Sequence, residues 1–297
     1  MKYLVTGVNG QLGYDIVREM KNNGYSEVLG TSRDTMDITD RERVLNVISS
    51  YKPDVIFHCA AWTQVDKAED NFDLVYKVNV EGTRNVVDAS IINKSKLFYI
   101  STDYIFDGKK DGMYDEGDMP NPQNVYGLTK YLGEMEARRN PNHFIARISW
   151  VFGINGNNFI KTMLKLAVNH DSLNVVDDQI GSPTYSCDLA KTLIKMASTE
   201  KYGIYNITNS GFCSWAELAN YIFNTSKLDV FVNHVSTDEY IKNSGLVQAK
   251  RPHNSMLSKT KLKEKGFEVL PNWQNAVDRF IDELNDDQTL KLSKKNG

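Results

Sequence analysis

The chain has 297 residues, of which 41% are hydrophobic and 25% charged, with 35 Lys+Arg against 38 Asp+Glu and a formal charge of −3. This composition belongs to a globular protein long enough to bury a sizeable core, and it excludes a disordered chain, a collagen-like chain and a small disulfide scaffold. Near-neutral charge gives no reason to expect nucleic acid or an anionic membrane surface as a partner, and no window approaches the roughly 18 apolar residues of a membrane span.

Residues 2–6 read as a short buried strand that stops at Gly7. A helix pattern covers 11–22, and 27–31 is a second short strand. Another helix covers 41–51 and ends at Pro53. Residues 54–60 form a third strand, apolar on both faces. Residues 72–92 read as one long helix, 97–101 as a fourth strand, and 107–124 as a polar loop. A helix over 126–139 and a strand over 144–150 follow. Strand and helix thus alternate roughly every 20–25 residues, the spacing of βαβ crossovers in a parallel sheet. Beyond Trp150 the regularity weakens. Helices are expected at 159–169, 189–198 and 215–224, and the polar last dozen residues are expected to fray.

Cys59, Cys187 and Cys213 are three widely spaced cysteines that suit neither a disulfide framework nor a zinc motif. The apolar run at the N-terminus is too short for a signal segment. A reducing cytoplasm is the expected compartment. The five histidines show no metal-ligand spacing, and Asp177-Asp178 reads as a turn, so no metal site is expected.

The loop after the first strand is Thr6-Gly7-Val8-Asn9-Gly10-Gln11-Leu12-Gly13. Gly7 permits a tight turn, Gly10 a close approach of pyrophosphate to the backbone, and Gly13 the packing of helix on strand. The helix that follows presents unpaired N–H groups to phosphates. A dinucleotide site is therefore expected. The fold class is α/β: a Rossmann-type doubly wound parallel sheet with a smaller C-terminal substrate-binding lobe. Residues 1–150, with late strands near 183–207, form the nucleotide domain, and about 151–182 and 208–297 the lobe. At the end of the second strand Ser32 and Arg33 supply a hydroxyl and a guanidinium, which suit a 2′-phosphate better than a free ribose does. NADPH is the expected cofactor, with NADH as a substitute. Asp37 and Ile38 follow where an adenine contact would form.

Tyr126 and Lys130 are four residues apart, on one face of a helix. A phenol titrates near 10, and a neighbouring ammonium favours the phenolate, so the pair suits proton exchange with a carbonyl or alcohol oxygen. Ser101-Thr102-Asp103 ends the fourth strand, at the sheet edge where α/β proteins hold ligands. Glycine loop, strand-end hydroxyl and Tyr-x-x-x-Lys, in this order, suit hydride transfer to a ketone. Trp150 reads as a ring able to stack on a sugar, or as core. Asn158 reads as a hydroxyl ligand or as a helix cap. Arg251 reads as a diphosphate ligand or as a surface ion pair.

These residues, with A-A-W-T-Q-V-D-K-A-E (60–69), S-T-D-Y-I-F-D-G (101–108), R-I-S-W-V-F-G (147–153), G-N-N-F-I-K-T-M-L (156–164), V-D-D-Q-I-G-S-P-T (176–184) and R-P-H-N-S-M-L (251–257), make the sequence resemble the extended short-chain dehydrogenase/reductase family. Within it, the resemblance is to members acting on the 4-ketone of a dTDP-activated 6-deoxyhexose. It implies NADPH-dependent reduction of dTDP-6-deoxy-L-lyxo-4-hexulose, with Tyr126 as proton donor. It implies Gly10, Gln11 and Leu12 at the pyrophosphate, Asp37 and Ile38 at the adenine, and Ala60, Ala61, Trp62 and Thr63 along the cofactor. It further implies Thr102, Tyr126 and Lys130 as the catalytic set, Lys130 also at the nicotinamide ribose, and Thr102, Asp103 and Trp150 at the sugar. Asn79 is expected to brace the backbone of the site. A homodimer is a further expectation, with no nucleic acid or membrane partner. Trp62 and Cys59 depart from the family's usual residues. Related dehydratases carry a second acid where Tyr104 stands, which sets this chain apart from them.

Overall fold

Six strands, β1 (Tyr3–Thr6), β2 (Val28–Thr31), β3 (Val55–His58), β4 (Lys96–Thr102), β5 (His143–Ile148) and β6 (Gly203–Asn206), pair in parallel in the order β2-β1-β3-β4-β5-β6. The computed structural model describes residues 1–245 and 248–286, so the fraying expected at the end of the chain lies, past Asp286, outside the described residues. The central strands are apolar on both faces because helices cover both. One face packs Val5, Phe57, Phe98 and Phe144 against helices α1 (Gln11–Asn22) and, later in the chain, Ser186–Ala197. Successive register partners put three of these rings side by side, with centroids 4.7 Å (Phe57–Phe98) and 4.5 Å (Phe98–Phe144) apart. The other face packs Leu4, Ile56, Leu97, Tyr99 and Ile145 against α2 (Arg41–Tyr51), α3 (Thr83–Asn93) and α4 (Val125–Ala137).

From β1 the chain crosses to β2 on one side, then returns past β1 to β3 on the other. The crevice beyond β1 and β3 is the switch point where such sheets bind nucleotides. The expected single helix over 72–92 is interrupted. An α-turn at Phe72–Tyr76 passes into a π-helical turn at Lys77–Gly82 before α3 resumes. Apolar spacing cannot reveal this, because one extra residue per turn shifts the periodicity only locally. An additional short helix, Val65–Glu69, precedes it. The strand expected to reach Trp150 ends at Ile148, and Trp150 itself has φ 48°.

A second core lies in the other half of the chain. Phe152, Ile160, Leu164, Phe223, Trp273 and Phe280 join there, drawn from α5 (Phe159–Leu166), α6 (Ser186–Ala197), α7 (Trp215–Thr225) and α8 (Trp273–Asp286) and the strands between them. Among the described residues no helix is long and apolar enough to cross a membrane.

Candidate active site

The glycine loop leaves β1 in a conformation that demands glycine. Gly7 has φ 70°, and a Cβ there would stand 2.7 Å from the Ala60 backbone nitrogen. A Cβ at Gly13 would stand 2.4 Å from the Gly7 carbonyl oxygen, so α1 can begin this close to the strand only without a side chain. Gly10 starts α1 with no side-chain cap and no acidic residue in the first turn. The first N–H groups of the helix therefore face the crevice unmatched.

That crevice is a cleft of about 810 Å³. Its wall includes every residue assigned to the cofactor from the sequence: Gly7, Gly10, Gln11, Leu12, Gly13, Ser32, Arg33, Asp37, Ile38, Ala60, Ala61, Trp62, Thr63, Tyr126 and Lys130. Thr102, Asp103 and Trp150 line it too. Arg33 is open to solvent at 87% side-chain exposure and stands 3.5 Å from Asp37. Burial acts to raise the Asp37 carboxyl, but hydrogen bonds from Thr39 and the Arg33 charge outweigh it and hold it below the ordinary carboxylate value.

Thr102 ends β4 with its hydroxyl donating to Asp103 Oδ1 at 2.9 Å and accepting from the Tyr104 amide at 3.2 Å. The Tyr126 phenol lines the same cleft as this hydroxyl. Tyr126 sits in the first turn of α4, which Asn124 caps by accepting from the Gly127 amide at 2.7 Å. One turn on, Lys130 places its ammonium 4.3 Å from the centroid of the Tyr99 ring.

The electrostatics correct one expectation. Burial raises the Tyr126 phenol above its ordinary value, the Thr102 hydroxyl acts the other way, and the charge of Asp103 adds to the rise. The expected ammonium effect is not among the influences on this phenol; Lys130 is itself stripped of water. Burial pulls its value down to about 7, against smaller opposing effects of Cys59 and Glu134. A neutral phenol is the form that can give up a proton. Burial also lifts the Asp103 carboxyl to about 6, against hydrogen bonds from Ser255 and Thr102.

Asn79 sits in the π-helical turn and works as a brace. Its Oδ1 accepts from the Trp62 amide at 2.8 Å, and its Nδ2 donates to the Trp62 carbonyl at 3.2 Å and to Thr129 Oγ1 at 3.1 Å. One amide thus ties the cofactor-side loop after β3 to α4, as the sequence reading expected.

Two assigned residues stand apart from the lining of the cleft. Asn158 caps α5 by accepting from the Lys161 amide at 3.0 Å and donates to Gln11 Oε1 at 3.0 Å, which is the capping alternative. Arg251 donates to Asp66 Oδ2 at 2.8 Å and to the Ala249 carbonyl at 3.1 Å, which is the ion-pair alternative. Conversely, Tyr104, Lys77, Val78, Ser149 and Gly156 line the cleft without having been assigned to cofactor or substrate. Only Tyr104 left a signal, its place beside Asp103. The others arrive through the π-helical turn and the loop after β5.

A parallel sheet with its switch point at a glycine loop, and a hydroxyl, a phenol and an amine lining the same cleft, give the chain the fold and the make-up of a short-chain dehydrogenase/reductase-like, nucleotide-dependent oxidoreductase. The chain belongs to the family described as RmlD substrate binding domain, whose model matches residues 1–286. It is 42% identical over 290 residues to a dTDP-4-dehydrorhamnose reductase of Aggregatibacter actinomycetemcomitans, covering 93% of this chain and 97% of that protein. Among solved structures it is similar to a Bacillus anthracis dTDP-4-dehydrorhamnose reductase in complex with NADP, with 41% identity, a TM-score of 0.90 and coverage of 95% and 100% of the two chains. It is also similar to a Clostridium acetobutylicum dTDP-4-dehydrorhamnose reductase, with 39% identity, a TM-score of 0.91 and coverage of 96% and 100%.

Proposed function

We propose that this protein reduces the C4 ketone of dTDP-6-deoxy-L-lyxo-4-hexulose to the alcohol of dTDP-L-rhamnose, using NADPH. The observation that carries this reading is the meeting of Thr102, Tyr126 and Lys130 on the wall of the cleft that also holds the glycine loop. The relatives named as dTDP-4-dehydrorhamnose reductases, one of them in complex with NADP, support it.

The residues present fit a dinucleotide. The start of α1 offers unmatched N–H groups, the Gly7–Gly13 cradle is one that a Cβ would fill, and Ser32 and Arg33 on the cleft wall bring a hydroxyl and a guanidinium that suit the 2′-phosphate of NADPH. Bound there, the nicotinamide supplies the hydride. Tyr126 gives its proton to the developing C4 oxygen, its phenol kept neutral by burial. The Thr102 hydroxyl orients that oxygen beside the phenol. Lys130, still able to take up or release a proton near neutrality, resupplies the phenol and would hydrogen-bond the cofactor's ribose. Asp103 and Trp150 hold the sugar. Residues 1–150 with 183–207 carry the nucleotide in this reading, and the remainder forms the lobe over the sugar, in a cytoplasmic enzyme.

The test is Tyr126→Phe, assayed by NADPH oxidation with the dTDP-ketosugar. Loss of one proton donor costs about 10²-fold or more in kcat, while the Kd for NADPH stays within about twofold because the ring remains. Wild-type-like turnover by the variant would refute the mechanism.

A further inference from the structure

Trp150 is held in place by an unusual amount of structure for one side chain. Its backbone has φ 48°, a left-handed conformation that bulky residues avoid and that persists only where the surroundings impose it. Its ring stacks on Trp215, with centroids 3.5 Å apart and planes 10° from parallel. The Phe159 ring also packs on Trp215, tilted by 47° with centroids 4.6 Å apart. Trp215 Nε1 donates to Gln179 Oε1 at 3.2 Å, and Gln179 Nε2 in turn donates to Thr237 Oγ1 at 2.9 Å. In the short strand Ile180–Gly181, a Cβ at Gly181 would stand 2.6 Å from the Trp150 indole, so only glycine leaves room for the ring there. Trp150 lines the cleft, whereas Trp215 and Gln179 are absent from its wall.

We infer that Trp215, anchored by Gln179, is a positioning residue for sugar recognition: it holds the Trp150 indole in its strained place as a flat apolar wall for one face of the substrate's deoxyhexose ring. The inference rests on the proposed reductase activity. Hydrophobic packing against the second core would account for the half-burial of Trp215. It would not account for a near-parallel indole pair that ends at the cleft. An aromatic ring is a common partner for the C–H face of a sugar, and a 6-deoxyhexose adds a methyl group to that face.

The experiment compares wild type, Trp215→Leu, Trp215→Phe and Gln179→Leu in steady-state kinetics with NADPH and the dTDP-ketosugar. Near-UV circular dichroism is recorded on each protein without substrate. The expected result for Trp215→Leu is a rise of about three- to tenfold in KM for the sugar nucleotide, the scale of one lost aromatic pair. KM for NADPH should stay within about twofold. Trp215→Phe should recover most of the sugar KM, and Gln179→Leu should reproduce part of the defect. The coupled-indole band of the wild type should vanish in both Trp215 variants. A Trp215→Leu enzyme whose sugar KM is unchanged, or whose two KM values rise together, overturns the inference and leaves the activity standing. A wild type that does not oxidise NADPH with this substrate overturns the activity and the inference with it.

Discussion

Lys130 carries its charge where burial opposes it. The side chain is only 4% exposed, and its folded value of about 7 lies well below the 10.5 of an unperturbed lysine. Between those two values the unfolded chain binds more protons than the folded one, so this residue makes stability rise with pH across that window. Below about pH 7 both states are protonated and the whole cost of the buried charge is present. Lys130→Met should therefore stabilise the protein while abolishing turnover. The gain should be on the order of a few kcal/mol below pH 7, fading toward pH 10. Urea unfolding of both proteins at pH 6, 8 and 10 checks this; a variant less stable than wild type at pH 6 contradicts it. His58 shows the same physics without a reaction to serve. It is fully buried between Thr6 and Thr83, with its value pulled down to about 3 by burial first and by the Lys130 charge second. It stays neutral and structural.

At the scale of elements, the site depends on how closely α4 approaches its neighbours. Gly133 sits against the Tyr99 phenol and the Asn79 carbonyl, where a Cβ would come to 2.4 Å and 2.5 Å. In an ordinary helix interior, replacing glycine with alanine stabilises by about 1 kcal/mol. Here the methyl group would push α4 away from β4 and from the π-helical turn, moving Tyr126 and Lys130 off their positions. Gly133→Ala should lower Tm rather than raise it, and should reduce kcat about tenfold or more, since displacements of about 1 Å carry costs of that order. A variant with higher Tm and full activity would show that α4 has slack. The π-helical turn serves the same approach, because it places Asn79 to hold the Trp62 backbone and Thr129 together.

At the scale of the whole molecule, α4 is tied to the sheet by a buried ion pair. Arg147 on β5 and Glu134 on α4 are 1% and 0% exposed and meet through two hydrogen bonds, at 2.8 Å and 3.2 Å. Ser101 donates to the same carboxylate at 2.9 Å and Arg138 at 2.6 Å. Burial works to raise the Glu134 carboxyl, but these partners outweigh it and hold it low, so its contribution is present near neutrality and lost in acid. Arg147→Met should cost about 3–5 kcal/mol, because the carboxylate is left without its main partner in the interior. The double variant Glu134→Leu, Arg147→Met should lose less than that single change. Urea midpoints of the two variants decide it, and equal losses would show that the pair acts through packing alone.

Much of this arrangement was legible in the amino-acid order, and the reason is local. Strand apolarity, the alternation of strand and helix, the glycine loop and the four-residue spacing of Tyr126 and Lys130 are all written within a few residues of one another. They sufficed for the doubly wound sheet and for a set of residues, from Gly7 to Lys130, that the fold brings to one cleft. Asn158 and Arg251 each carried two readings that no local pattern could separate, since capping and ion pairing depend on partners such as Asp66, which is 185 residues from Arg251. The π-helical turn, the placing of Lys77 and Val78 on the cleft and the stacking of Trp150 on Trp215 were decided by tertiary structure alone. So was the protonation of the site. The spacing of a phenol and an amine states only that they share a face, whereas their proton affinities follow from how much water the assembled fold removes from each.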